Sequence, residues 1–168
     1  MRAGIALGSN LGDRPAHLCA ARAAICALDQ IADRVLASSI YETAPVDSPH
    51  DAQAFLNAVI EVDLGGDPAA FLGELRAIET FIGRPPQHAR NAPRVIDLDL
   101  LYSGDLAISH PDLVLPHPRL HERWFVLAPL AEIRPELVLP NQHRSIAELL
   151  AALPETPGNR RLSDDWNP

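Results

Sequence analysis

Lysine is absent from this sequence, and all 14 basic residues are arginine. That excludes a Walker A phosphate loop and any chemistry that runs through a Schiff base or a lysine nucleophile. A bound phosphate would have to be held by arginine, histidine or backbone N–H groups. Cysteine is nearly absent too. Cys19 and Cys26 lie in an alanine-rich helical pattern, two turns or about 10 Å of rise apart, too far for a disulfide. They are expected to be reduced core residues. No apolar run approaches the roughly 18–20 residues of a membrane span. The opening "MRAGIALGSNLGDR" has only a short apolar stretch before a turn, unlike a secretory signal, so a cytoplasmic protein is expected. Basic charge is in deficit, with a net charge of −8, which disfavours nonspecific nucleic-acid binding.

What is present suits one globular domain: 168 residues, 47% hydrophobic and 21% charged. "AGIALGSN" predicts a strand over residues 3–8, and Asp13 with Pro15 predicts the start of a helix running to about Leu28. "DRVLASSIYET" and "AFLNAVIEVDL" predict two more strands. Asp67, Pro68 and Gly83 bracket a second helix. Residues 84–93, with Pro85, Pro86 and Pro93, predict a loop. "APRVIDLDLLYSG" predicts a fourth strand. A short helix around 119–130, a last extended piece and a helix at "SIAELLAAL" follow. The order β-α-β-β-α-β predicts a ferredoxin-like α+β fold, an antiparallel sheet with helices on one face and C-terminal additions. The domain is expected over 1–153, with a loose polar tail over 154–168.

Asp97 and Asp99 stand two apart in the fourth strand and therefore project together, while Ile96, Leu98 and Leu100 point into the core. Two carboxylates can share cations, and oxygen-only ligands favour Mg²⁺ or Mn²⁺ over zinc. A solvated strand face with two surface charges would give the same pattern. Arg84, Arg90 and Arg94 lie within eleven residues that contain no acid, directly before the aspartates. Acids for a metal beside arginines for phosphate oxygens suit a metal–polyphosphate complex. The alternative is that the arginines offset nearby acids. His117 and His121 have the spacing of a helical metal pair, but Pro118 makes His117 extended, so a phosphate or ribose contact is preferred for His117 and exposure for His121. "GSN", residues 8–10, is accounted for by a plain turn. Asn57 within a strand could read a heterocycle edge. Phe55 and Phe125 could be core or could stack on a flat ring.

Together these segments resemble the 6-hydroxymethyl-7,8-dihydropterin pyrophosphokinases of folate biosynthesis. The resemblance runs through "GSN", "YETAPV", "FLNAV", "IGR", "APRVIDLDLLYSG" and "LPHPRLHERWFVLAPLAEIRPELVLP", in order, to about residue 150. It implies a ferredoxin-like fold and transfer of the β,γ-pyrophosphoryl group of ATP to the pterin hydroxymethyl oxygen, releasing AMP. It implies that Asp97 and Asp99 hold two Mg²⁺ ions and that Arg84 and Arg94 grip the transferring phosphates. Glu79, Leu100, His117 and Arg123 match positions near ATP. Phe55 and Phe125 match a pterin sandwich, Asn57 the residue that reads its edge, and Thr43, Ala44 and Val46 a strand-end loop with backbone contacts. The partners implied are the two small-molecule substrates, and a monomer is expected. The chain departs from many members at "RWGPR": Asn91 stands where a tryptophan can close over the pterin. Two competing readings are a metal-dependent phosphohydrolase using Asp97, Asp99, His117 and His121, and a pterin-binding relative that no longer closes its loop.

Overall fold

The computed structural model of the protein describes residues 1–44, 53–85, 93–154, 158–163 and 166. Two strands form the middle of the sheet, β1 (Arg2–Ser9) and β4 (Phe55–Leu64). They pair antiparallel from Arg2 opposite Asp63 to Ser9 opposite Leu56. Between them in sequence come α1 (Arg14–Cys26), β2 (Ile31–Ala37) and β3 (Ile40–Thr43). α2 (Pro68–Ile82) and β5 (Asp97–Ser103) complete the ferredoxin-like repeat. β5 lies on the free edge of β1, and β2 and β3 share the other edge of β4. Every pairing in this sheet is antiparallel.

Local chemistry sets the helix ends. Asp13 and Asp67 accept hydrogen bonds from the N–H groups of Ala16 and Ala70, each with a proline in the first turn. Gly83, at φ 117°, takes the left-handed conformation that ends α2. α1 and α2 cover one face of the sheet through Leu18, Ile25, Phe71 and Leu75, packed on Ile5, Leu7, Ile60, Leu98 and Leu100. The two cysteines are free and half-buried, and burial pushes the Cys26 thiol up.

The helices do not lie on one face only. α3 (Trp124–Ile133) and α4 (Ile146–Ala151) build a second core on the opposite face, where Val126, Leu127, Leu130 and Ile146 meet Val59, Leu101 and Tyr102. A bulge opposite Gly4 and Ile5 admits both Leu101 and Tyr102 to this side. Gly4 is needed there, because a Cβ would lie 2.3 Å from the Tyr102 ring. The Tyr102 hydroxyl and the Arg134 guanidinium both donate to the buried Glu61 carboxylate.

Four further expectations are corrected. The strand expected over 33–43 is two strands, because the Ser38 hydroxyl accepts the Val59 N–H in place of a ladder carbonyl and interrupts the pairing. The helix expected over 119–130 begins at Trp124, after a 3-10 turn at Leu120–Glu122, and runs to Ile133 with Pro129 inside it. The extended piece expected after that helix is not a strand. Instead β6 (Ile108–His110) and β7 (Leu113–Leu115) form a short hairpin. Last, the described part of the polar C-terminal segment is not loose. β8 (Arg160–Ser163) pairs with β3, and Trp166 is buried, donates from Nε1 to the Ser38 carbonyl at 2.6 Å and lies under the Arg22 guanidinium. Among the described residues, no helix is long and apolar enough to cross a membrane.

Two measurements check this packing. Trp166→Ala is expected to lower unfolding stability by about 3 kcal/mol in urea titration, since it empties a buried aromatic site. Glu132 of α3 gives an acid signature. Burial raises its pKa, but hydrogen bonds from Ser39 and Tyr41 and the charge of Arg161 outweigh burial and hold it below 4.5. Its stabilisation is therefore present above the unfolded value and is lost as pH falls through the lowered folded value. The Tm gap between wild type and Glu132→Gln is expected to be open at pH 7 and to narrow below pH 4.5.

Candidate active site

On the α3 side the sheet is left uncovered at one end, and a cavity of about 420 Å³ opens there. Its floor is Ala6 and Gly8 of β1, Phe55 and Asn57 of β4, and Asp97 and Asp99 of β5. Thr43 and Ala44 at the end of β3 form one rim, and Arg123, Trp124 and Phe125 at the start of α3 hang over it. Register explains the convergence. Gly8 lies opposite both Asn57 and Asp97, and residues opposite one another in a sheet share a face. A Cβ at Gly8 would stand 3.2 Å from Asn57 Oδ1, so glycine leaves the amide its room. Asn57 Nδ2 donates to Thr43 Oγ1 at 2.9 Å, which fixes the orientation of the amide above the floor.

The two aspartates are both held by arginine. Asp97 accepts from Arg84 Nη1 and Arg94 Nη1, each at 2.5 Å, and Asp99 accepts from Arg123 Nη1 at 3.2 Å. Arg84 also donates to Glu79, at the end of α2, whose Oε1 accepts the Leu98 N–H at 2.7 Å. Glu79 thus joins α2 to β5 between the two aspartates. Burial pushes the Glu79 pKa up, against the opposing pull of the Leu98 N–H and Arg84. Burial likewise disfavours charge on Arg84, but Asp97 and Glu79 reverse that and strengthen its hold on the proton. The Arg94 Nε is buried and has no hydrogen-bond partner among the described residues.

The aspartate pair, Arg94 and Arg123 all face the cavity. So do Phe55, Asn57, Phe125, Thr43 and Ala44. Leu100 does not: it is 3% exposed and packs in the core under α1 and α2, as strand alternation requires. His117 lines a separate cleft of about 290 Å³ with Val114, Leu115, Pro118, His121 and Gln142. It is not helical, so it forms no helical pair with His121, which is 45% exposed. Burial pulls the His117 pKa below its ordinary value, opposed by the nearby Asp99 and helped by Arg123 and Arg119. Val46, Arg90 and Asn91 lie outside the described residues.

Among the described residues, no cluster of three or more His, Cys, Asp or Glu side chains converges on a point. Two carboxylates alone are an open, oxygen-only set. That donor chemistry fits Mg²⁺, which keeps water and takes phosphate oxygens, and does not fit a closed zinc site.

Two features of the site escaped the sequence reading. Asn10 is not a plain turn residue. Its Oδ1 accepts the Arg94 N–H at 2.8 Å, its own N–H donates to the Arg94 carbonyl, and the neighbouring Ser9 hydroxyl donates to the Val95 carbonyl at 2.6 Å. The "GSN" turn therefore fixes the approach to β5 and the base of Arg94. The signal was present, since Ser and Asn beyond a buried strand are suited to such bonds. Trp124 is the other, and only its place beside Arg123 and Phe125 hinted at it.

Known proteins resemble this chain in both sequence and fold. Residues 4–135 match the family described as 7,8-dihydro-6-hydroxymethylpterin-pyrophosphokinase (HPPK). A Bacillus subtilis protein named 2-amino-4-hydroxy-6-hydroxymethyldihydropteridine pyrophosphokinase is 45% identical over 131 residues, 77% of this chain and 75% of that one. A Methylorubrum extorquens protein of the same name is 40% identical over 152 residues, 90% and 93% of the two chains. The crystal structure of Plasmodium falciparum HPPK-DHPS with pteroate shares the fold, with a TM-score of 0.69 at 16% identity. That alignment covers 89% of this chain and 42% of the Plasmodium chain.

Glu79→Ala is expected to cost about 3 kcal/mol of stability in urea titration, because it strips a partner from Arg84 and leaves the Leu98 N–H unmet. Glu79→Gln keeps an acceptor for that N–H and should cost less.

Proposed function

The chain belongs to the 7,8-dihydro-6-hydroxymethylpterin-pyrophosphokinase family, and from that membership we infer the reaction and the work of each residue. The enzyme transfers pyrophosphate from ATP to the hydroxymethyl group of 6-hydroxymethyl-7,8-dihydropterin, a step of folate biosynthesis. The pterin oxygen bonds to the β-phosphorus, the bond from that phosphorus to the α,β-bridging oxygen breaks, and AMP leaves.

One observation carries the assignment of roles. The cavity joins an end built to hold a flat polar ring to an end built to hold a polyphosphate. At the first end, Phe55 and Phe125 sandwich the pterin, and Asn57, oriented by Thr43, reads its edge. Ala44 adds backbone contacts. At the second end, Asp97 and Asp99 would hold two Mg²⁺ ions. When bound, these ions polarise the phosphates and make the attacking hydroxyl more acidic. Arg84, Arg94 and Arg123 now neutralise the two aspartates. With ATP present, the same guanidinium groups turn to phosphate oxygens, and the partnerless Arg94 Nε supports that reading. Charge that moves to the leaving phosphate is met by these forks without covalent help. Glu79 holds Arg84 ready, and His117 and the cleft beside it take the nucleoside, with Leu100 contributing through its backbone. The protein acts as a cytoplasmic monomer whose catalytic residues all fall within 1–153.

Asp97→Ala is expected to lower AMP formation at least a hundredfold, by analogy with the loss of one charge-stabilising group from a polar active site. The assay follows AMP and pterin pyrophosphate from ATP, Mg²⁺ and 6-hydroxymethyl-7,8-dihydropterin. Equal amounts of the two products, lost together in the variant, are the expected result. Orthophosphate released from ATP without pterin would instead indicate a phosphohydrolase and overturn the assignment.

A further inference from the structure

We propose that Trp124 is a specificity-determining wall of the heterocycle end of the cavity, with Tyr41 as the residue that positions it. The inference rests on the pterin reading above. Aromatic residues are only 5% of this chain, yet Phe55, Phe125 and Trp124 line one cavity. Trp124 is the first residue of α3 and only half-buried. An indole at a helix start, left open to a polar cavity, is poorly explained as core packing.

Its orientation is set from outside the cavity. The Tyr41 and Trp124 rings meet edge to face, with centroids 5.8 Å apart and planes at 74°, a favourable quadrupolar arrangement. Tyr41 sits opposite Asn57 in the β3–β4 register, so the indole it supports lies at the end of the cavity where Asn57 and Thr43 meet. The same tyrosine donates from its hydroxyl to Glu132 Oε2 at 2.9 Å, two turns further along α3. Glu132 Oε1 in turn accepts from Ser39 Oγ at 2.7 Å and from Arg161 Nη2 of β8 at 3.0 Å. One residue of β3 therefore ties α3 down at two points, by its ring at Trp124 and by its hydroxyl at Glu132. The indole is held in place before any ligand arrives, which reduces the ordering cost of stacking a flat ring against it. A rigid indole lining the same cavity as the Asn57 amide favours a fused planar heterocycle over a smaller or puckered substrate.

The test is calorimetric binding of 6-hydroxymethyl-7,8-dihydropterin with a non-hydrolysable ATP analogue present, paired with steady-state kinetics. The proteins are wild type, Trp124→Ala and Trp124→Phe. Losing an aromatic stacking partner is expected to raise the pterin Kd and KM about tenfold in Trp124→Ala. The ATP KM should move less than about twofold and the Tm by only a few degrees, and Trp124→Phe should recover most of the pterin affinity. An unchanged pterin Kd in Trp124→Ala, or equal losses for both substrates, would overturn the proposal. Because binding is read without turnover, the two claims fail separately. A wild-type protein that binds pterin but makes no AMP loses the assigned reaction while the indole wall is still measured.

Discussion

Negative charge brought together on one strand is the constraint from which the rest of the site follows. Asp97 and Asp99 share a face because a strand repeats every two residues, and neither can sit beside the other in a half-covered cavity without cations. Arg84 and Arg94 meet the first, and Arg123 the second. Each arginine comes from a different place: the end of α2, the approach to β5 and the start of α3. Electrostatic compensation thus brings three separate segments to one aspartate pair. The protein holds these three guanidinium groups on its own carboxylates, so they are gathered beside one strand.

The scaffold behind this cluster is a sheet buried on both faces at one end and on a single face at the other. Alternation places Leu98 and Leu100 in the core beneath α1 and α2, and leaves Asp97 and Asp99 on the opposite side. One strand thereby serves the hydrophobic core and the chemistry at the same time. Where α3 and α4 cover the second face, that side is apolar and closed around Leu101 and Tyr102. Beyond the start of α3 the cover stops and the cavity begins. The cavity end is thus the uncovered end of an otherwise ordinary two-sided packing arrangement, and Glu79 ties it to the helix layer through the Leu98 N–H.

Much of this was legible in the sequence because it depends on short-range rules. Asp13 and Asp67 as helix caps, Gly83 as a helix end, and the shared face of Asp97 and Asp99 follow from neighbouring residues alone. The roles of Asn10, Tyr41 and Trp166 did not, because each acts on a segment distant in the chain: on Arg94, on Glu132 and on the Ser38 carbonyl. The interruption at Ser38 was hidden for the same reason, since a hydroxyl that takes over a ladder bond looks like any strand serine until its partner is known. The second helical layer was missed because the apolar residues that receive it, Val59 and Leu101, read equally well as part of a single core. The tail looked polar because its strand carries Arg160 and Arg161, whose partners Glu42 and Glu132 lie far away in the sequence.

β8 has a consequence for the order in which the protein is made. It lies along the edge of β3, yet it is synthesised after every other strand of the sheet. Until then the β3 edge carries a row of backbone groups that β8 will later pair, which offers a template to any passing strand. The late arrival of β8 therefore closes a window of vulnerability to mispairing in the newborn chain, and the two arginines it brings leave a charged border in place of a sticky one.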